Sequence, residues 1–460
     1  MTMIDAVAEP ELLARRFPPS FAFGGATASY QIEGAVRAGG RGPSIWDTFS
    51  HTPGRTRNGE TGDVACDHYH RWASDLDLMA GLGLRAYRFS IAWPRIQPDG
   101  SGPANAAGLD FYDRLVDGML ERGIEPWLTL YHWDLPQPLE DRGGWAEPEI
   151  VERIGEYASI VAARLGDRVG RWITLNEPRT HSFIGYAVGR HAPGRHGWST
   201  GLRAAHHSHL AHAAAARAIR SAASTAKVGI CHDIADLVPA ADTPEDAAAV
   251  VRQDGAMHRW FLDPTFGRGY PTDLVRWYEE HGLLDRIDPA AVAVAEPIDF
   301  LAVNYARRER IAAAPVTPDW GIGSRVVDNV GEHTGNGWEV WPDGLRSVLA
   351  RVDREYGPRE IAITENGATF PDVVSADGGV DDVERRSYIA RHLVAAADAI
   401  EAGIPLVGYF AWSLLDNFEW AEGYDRRFGI VHVDFATQRR TVKASGRWYR
   451  DLLRSSEQRG

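Results

Sequence analysis

The chain has 460 residues, 44% of them hydrophobic and 24% charged, which is the composition of a globular protein rather than of a disordered or fibrous one. A formal net charge of -14 argues against nucleic acid as a partner, because phosphate binding needs a basic face. Cys66 and Cys231 lie too far apart in sequence for a CxxC metal pair and form no disulfide framework, so both read as small buried apolar side chains.

Residues Met1–Arg16 mix acids, arginines and short apolar residues, so no secretory signal is expected there, and a cytoplasmic location is. Apolar runs of strand length, several of them uncharged in the middle, follow at Phe21–Ser29, Leu84–Ile91, Ile124–Tyr131 and Arg171–Asn176. Four more lie at Lys227–Asp233, Phe300–Tyr305, Glu360–Asn366 and Leu406–Leu414. Several lack polar alternation, as strands buried on both faces should. Between them, Leu109–Arg122 and Glu149–Leu165 carry apolar residues at helical spacing, and Ala211–Ala226 is a strong helix former. The stretch from Asp233 to Phe300 exceeds a minimal strand–helix unit, so insertions are expected in it. The apolar stretch Pro405–Leu415 is too short to span a bilayer, and no membrane partner is expected. Eight strands alternating with helices, uninterrupted by linker or repeat, predict an α/β fold. It is a single (β/α)8 TIM barrel over residues 1–460, with short flexible tails at about 1–16 and 453–460.

Barrel active sites form where the strands end. Two predicted strands end in a glutamate, in Trp172-Ile173-Thr174-Leu175-Asn176-Glu177-Pro178 and in Ile361-Ala362-Ile363-Thr364-Glu365-Asn366-Gly367. Glycoside hydrolysis needs two carboxyl groups across a sugar, one to protonate the leaving oxygen and one to act at the anomeric carbon or on water. Sixteen tryptophans offer flat apolar faces that suit either sugar stacking or a large core. Asp67-His68-Tyr69-His70 and the group His206, His207, His209 and His212 lack the spacing of a metal motif. Gly81-Leu82-Gly83 lacks the third glycine of a dinucleotide fingerprint, and there is no P-loop. No cofactor and no metal are expected.

The segments Thr174–Pro178 and Ile363–Gly367 resemble the two signature motifs of glycoside hydrolase family 1, the β-glucosidase family. Phe23–Gly34, Tyr87–Trp93, Leu130–Pro136, Val303–Tyr305, Trp412–Trp420 and Phe428–Val431 match in family order, from about residue 17 to residue 451. The resemblance implies a retaining β-glycosidase acting on a small β-glycoside or oligosaccharide, with terminal glucose as the first expectation and galactose or fucose as further ones. Glu365 would be the nucleophile, and Glu177 the acid/base that starts the cycle protonated. Arg88 would sit beside the nucleophile and help to keep it ionised. Asn176 would hold the sugar 2-hydroxyl; Gln31, His132, Glu419 and Trp420 would bind the outer hydroxyls, and Trp412 would form the floor. Asn304, Tyr305 and Phe428, in the remaining motifs, complete the expected substrate-binding set.

Taken singly, these residues have plainer readings. Gln31 and His132 could satisfy buried backbone groups, Trp412 and Trp420 could be core, and Glu419 could pair with Arg426 or Arg427. Two departures from the family pattern stand out. After Asn304-Tyr305 the family usually has a second tyrosine that donates to the nucleophile, where this chain has Ala306, unless Tyr305 is displaced into that role. Arg179 stands where a tryptophan is common, which points to a polar or acidic aglycone or to a solvated arginine. Retention of Glu177 argues against a thioglucosidase, and Glu419 would repel the phosphate of a 6-phosphoglycoside. A transglycosylase sharing the glycosyl-enzyme, and a sugar-binding pseudoenzyme, remain the alternative readings.

Overall fold

Strands that carry apolar side chains on both faces need cover on both, and this chain provides it by closing eight of them into a ring wrapped by helices. The computed structural model describes residues 9–457 apart from 294–295 and 317–321. The barrel strands are β1 Ala22–Ala26, β2 Ala86–Ser90, β3 Glu125–Tyr131, β4 Arg171–Asn176, β5 Lys227–Asp233, β6 Phe300–Asn304, β7 Ile361–Asn366 and β8 Leu406–Trp412. Each pairs in parallel with its sequence neighbours, and β1 closes on β8. Every residue of β2 and β6 is buried. At the barrel's lower end Trp127 packs between Phe300 and Phe410, with ring centroids 5.6 and 4.8 Å away. The fold is the predicted TIM barrel.

The helical periodicities map onto Ala106–Glu121 and Glu149–Leu165, and the alanine-rich stretch lies in Trp198–Ala222. The excess length after β5 contains the helix Pro244–Asp254 and the strand Asp236–Pro239. That strand pairs with Arg308–Ala313, which in turn pairs with Ser324–Val327. This small outer sheet flanks the barrel mouth. Strand β1 is shorter than the predicted Phe21–Ser29 because Ser29–Ile32 coils into a helical turn that carries Gln31. The tails predicted as flexible are largely ordered among the described residues. Pro10–Ala14 is a helix with Leu13 in the core, and Arg16 reaches Asp398 and Glu401 at 2.7 and 2.8 Å. The closing helix Ala444–Glu457 buries Leu452 and Leu453. Leucines whose burial contributes about 1.5–3 kcal/mol each explain both differences. Among the described residues no helix is long and apolar enough to cross a membrane.

The loop after β8 is held by a buried ionic cluster. Lys443 Nζ donates to Asp416 Oδ1 at 2.7 Å and also reaches Asp372, and Arg385 binds Asp372 (2.9 Å) and Asp382. The side chains of Lys443, Arg385, Asp372, Asp382 and Asp416 are all fully buried. Buried charges persist only when paired, and removing one partner leaves the others uncompensated. We expect Lys443→Met, which leaves the buried cluster one cation short although Asp372 keeps Arg385 and Asp416 keeps Arg427, to lower stability by about 3–5 kcal/mol. Urea unfolding followed by tryptophan fluorescence would show this, and a midpoint equal to the parent's would contradict it.

Candidate active site

The predicted residues gather at the C-terminal mouth of the barrel, in a cavity of about 330 Å³. The pairing of β4 with β5 shifts register between Ile173 and Asn176, and that of β7 with β6 between Ile363 and Glu365. Such bulges re-aim side chains at a barrel rim. Here they occur in the strands that deliver Asn176, Glu177 and Glu365. Glu177 (φ +47°), Trp133 (φ +80°) and Trp420 (φ +50°) hold left-handed backbone conformations that side-chain-bearing residues seldom adopt, and such strain concentrates at functional sites. Gly367, directly after β7, has no room for a side chain: a Cβ there would lie 1.5 Å from the Trp412 carbonyl oxygen.

Arg88 on β2 is the hub. Its side chain is fully buried, and its Nη1 binds Glu365 Oε1 through a short ion pair. Nη2 donates to Asn176 Oδ1 at 2.6 Å, Nε to Thr129 Oγ1 at 3.1 Å, and Nη1 also to the Thr364 carbonyl at 3.2 Å. Asn304 on β6 ties in the other carboxyl: its Nδ2 donates to Glu177 Oε1 at 2.7 Å and to Asn176 Oδ1 at 3.2 Å. Thr364 Oγ1 fixes the Asn304 amide by donating to its Oδ1 at 2.9 Å.

On the opposite wall, Asn176 Oδ1 accepts from two donors, so its Nδ2 is the group that faces His132 Nε2 at 3.0 Å. Nε2 is therefore an acceptor. Burial, and then the charge of Arg88, pull His132 well below its ordinary range, so the ring is neutral and carries its proton on Nδ1. That Nδ1 is buried without a protein acceptor among the described residues. Gln31 is alike: Nε2 donates to Asn417 Oδ1, the Phe418 carbonyl and Glu419 Oε2 at 3.0, 3.0 and 3.2 Å, while its Oε1 is buried with no protein partner. A buried donor and a buried acceptor left over beside one cavity suit the hydroxyls of a polar ligand. The His132 ring stacks against Trp412 and Trp420 at 6.1 and 5.9 Å. Phe428 and Tyr305 complete the lining, along with Trp133 and Trp338.

Glu419 pairs with neither Arg426 nor Arg427; Arg426 sits near Glu422 and Asp425, and Arg427 binds Asp416. Tyr305 is not displaced toward Glu365. Its hydroxyl donates to the Trp341 carbonyl at 2.6 Å, so the donor lost at Ala306 is not replaced by its neighbour. Arg179 is no solvated arginine. Its side chain is 15% exposed, pairs with Asp233 at the end of β5 and lines the cavity. Sequence reasoning missed Asp233, although it ends a predicted strand as Glu177 and Glu365 do. Trp133 follows His132 in a motif already singled out, whereas Trp338 lies in irregular chain with no periodic signal. The grouped histidines disperse into the packing, with His207 bound to the Trp145 carbonyl and His212 to Thr174.

Burial raises the Glu365 carboxyl to about 7, with Glu177 adding to the effect and Arg88 opposing it. Burial and then Glu365 raise Glu419 to about 8, against the hydrogen bond from Gln31. Arg88 thus pulls Glu365 in the expected direction, but one cation does not outweigh desolvation and a cluster of three carboxyls.

The sequence model of glycosyl hydrolase family 1 matches residues 13–458. Beta-glucosidase A of Thermotoga maritima is 46% identical over 447 residues, covering 96% of this chain and 98% of that protein. The bifunctional beta-D-glucosidase/beta-D-fucosidase of Bifidobacterium breve is 45% identical, covering 95% and 98%. The solved family 1 β-glucosidase of Thermotoga maritima superposes with a TM-score of 0.92 over 96% of this chain and 98% of that one. A second structure of the Thermotoga maritima enzyme, in complex with deoxynojirimycin, superposes at 0.91 with 45% identity, covering 96% and 99%.

The raised carboxyls carry a stability consequence. A carboxyl with a folded pKa near 8 keeps a proton that the unfolded chain releases from about 4.5 upward, so stability is fully present at low pH and falls as pH rises toward 8. We expect Glu419→Gln, which cannot ionise, to melt a few degrees above the parent at pH 8.5 and to lose most of that advantage at pH 5. Scanning calorimetry at the two pH values checks it; an advantage independent of pH would contradict the cause.

Proposed function

The chain belongs to glycosyl hydrolase family 1 and is a glycoside hydrolase, and we propose that it is a retaining β-D-glucosidase with Glu365 as nucleophile and Glu177 as acid/base. The observation that supports the reading is a chain of hydrogen bonds that ties both carboxyls to one cavity: Asn304 Nδ2 donates to Glu177 and to Asn176 Oδ1, and Arg88 donates to that same oxygen and to Glu365. The retaining reading requires the two carboxyls to stand roughly 5–5.5 Å apart, against the roughly 6.5–9.5 Å that inverting enzymes leave for a water.

In this mechanism Glu365 attacks the anomeric carbon while Glu177 gives its proton to the departing glycosidic oxygen. A glucosyl ester on Glu365 forms and the aglycone leaves as the alcohol or phenol. Glu177, now a carboxylate, takes a proton from water as that water attacks the same carbon, and the ester bond breaks. Arg88 holds the nucleophile and, through Asn176, the group suited to the sugar 2-hydroxyl. His132 Nδ1–H donates to an outer hydroxyl, and Gln31 Oε1 and Glu419 accept from others. Trp412 supplies the flat apolar face under the ring. The relatives' names support glucose as the preferred sugar, and the Bifidobacterium breve name adds fucose as a secondary one.

The test is nitrophenol release from aryl β-D-glycosides combined with azide rescue. Glu365→Ala should lose glucosidase activity and regain turnover with azide, giving α-glucosyl azide. Glu177→Ala should fall about 10²–10⁴-fold on the 4-nitrophenyl glucoside and yield β-glucosyl azide. Azide products of one anomer from both variants would defeat the two-role assignment.

The alanine at position 306 bears on the nucleophile. Ala306→Tyr should return a phenol donor to Glu365, and a hydrogen bond to the ionised form lowers a carboxyl's pKa. The acid limb of the kcat/KM–pH profile, which reports the free enzyme, should move down by about one unit, with several-fold faster turnover near pH 5.5. An unmoved limb would refute this.

A further inference from the structure

A second cavity, of about 280 Å³, adjoins the first and shares Arg179, Asp233, Ala235 and Arg307 with it. It lies between the barrel rim and the outer sheet, away from His132, Gln31 and Trp420, so it extends the side on which the aglycone leaves. Its charges do not balance. Arg179 is matched by Asp233 and Arg307 by Glu309. Arg325 in this cavity, and Arg190 at the first, are exposed and have no carboxylate partner among the described residues. Arg426 and Glu422 at the rim offset one another at 3.9 Å. In the second cavity three guanidiniums, Arg179, Arg307 and Arg325, therefore face two carboxylates, in a chain whose net charge is -14.

The guanidiniums also have donors to spare. Arg179 Nη1 reaches only the thioether sulfur of Met257 at 3.5 Å, a weak acceptor. Arg307 uses Nε and Nη2 on Glu309 Oε1 at 2.7 and 2.5 Å, and its Nη1 has no acceptor among the described residues. Burial first, and then the like charge of Arg307, pull Arg179 down to about 10. A bound anion would relieve that repulsion. The Arg307 guanidinium lies 5.0 Å from the ring centroid of Trp338, which lines the first cavity, so a flat apolar surface stands beside the spare cations.

Resting on the glucosidase reading above, we propose that this second cavity is an aglycone subsite selective for aromatic aglycones that bear an anionic group, recognised by Arg179, Arg307 and Arg325. A carboxylate there would form charge-assisted hydrogen bonds to guanidinium nitrogens that otherwise lack oxygen acceptors.

The test compares 4-(β-D-glucosyloxy)phenylacetate with its methyl ester, whose leaving phenols differ little because a methylene separates the charge from the ring. Glucose release at low ionic strength should give kcat/KM about tenfold higher for the acid. In Arg307→Gln, and separately in exposed Arg325→Gln, the acid-to-ester ratio should fall toward one. The ratio is internal to each protein, so a loss of folded enzyme cancels. An ester cleaved as fast as the acid by the parent would overturn the proposal, as would an acid preference that survives in both variants. No glucose from either compound would sink the glucosidase reading itself, and this inference with it.

Discussion

One buried guanidinium organises the catalytic end of this barrel. A full positive charge in a barrel interior is tolerated only with compensating charge and hydrogen bonds. Arg88 obtains them from Glu365, Asn176, Thr129 and the Thr364 carbonyl, on strands β3, β4 and β7. Each of those partners is thereby fixed: Asn176 has one amide orientation left, and this sets the tautomer of His132. The position of a ring proton at the far side of the pocket thus follows from a cation on β2. The cost falls on the carboxyls. Three of them, Glu177, Glu365 and Glu419, share a cavity with a single fully buried cation, and two are raised well above their ordinary range. The charge of Glu365 is among the causes that raise Glu419, so those two carboxyls are coupled.

Local strain at the mouth requires rigid surroundings. Glu177, Trp133 and Trp420 keep left-handed backbones only if their neighbours leave them no relaxed alternative. For Trp420 that support is visible: its ring lies against Trp46, Trp133 and Tyr30 at 4.5, 4.7 and 6.2 Å. The loop that carries it is anchored through Asp416 to Lys443 and Arg427. The ionic cluster behind β8 and the sugar-facing residues in front of it are two ends of one device.

Much of this was legible in the sequence, for a physical reason. Parallel strands are covered on both faces, so they stand out as apolar runs, and barrel chemistry collects where those runs end. Glu177 and Glu365 were visible on that ground alone. Other features depend on contacts that no local pattern encodes. The pairing of Arg179 with Asp233 joins the ends of β4 and β5 across a whole helix, and the destination of the Tyr305 hydroxyl is a carbonyl 36 residues later. The ordering of residues 10–16 turns on Leu13 finding a place beside the closing helix. The second cavity needed the outer sheet, whose strands are four to six residues long and scarcely periodic.

The short run from Asn304 to Glu309 shows how one segment divides its duties between the two cavities. Asn304 faces inward and donates to Glu177, and Tyr305 turns away to Trp341. At Ala306 the chain leaves the barrel strand, and from Arg308 it enters the outer sheet, with Arg307 bonded to Glu309 and Arg308 to Glu339. Ala306, Arg307 and Glu365 line the same cavity. The alanine side chain offers no donor to Glu365, whose carboxyl is held by Arg88. On the proposed reading, this segment sets a position without a donor for the nucleophile directly beside a cation on the aglycone side.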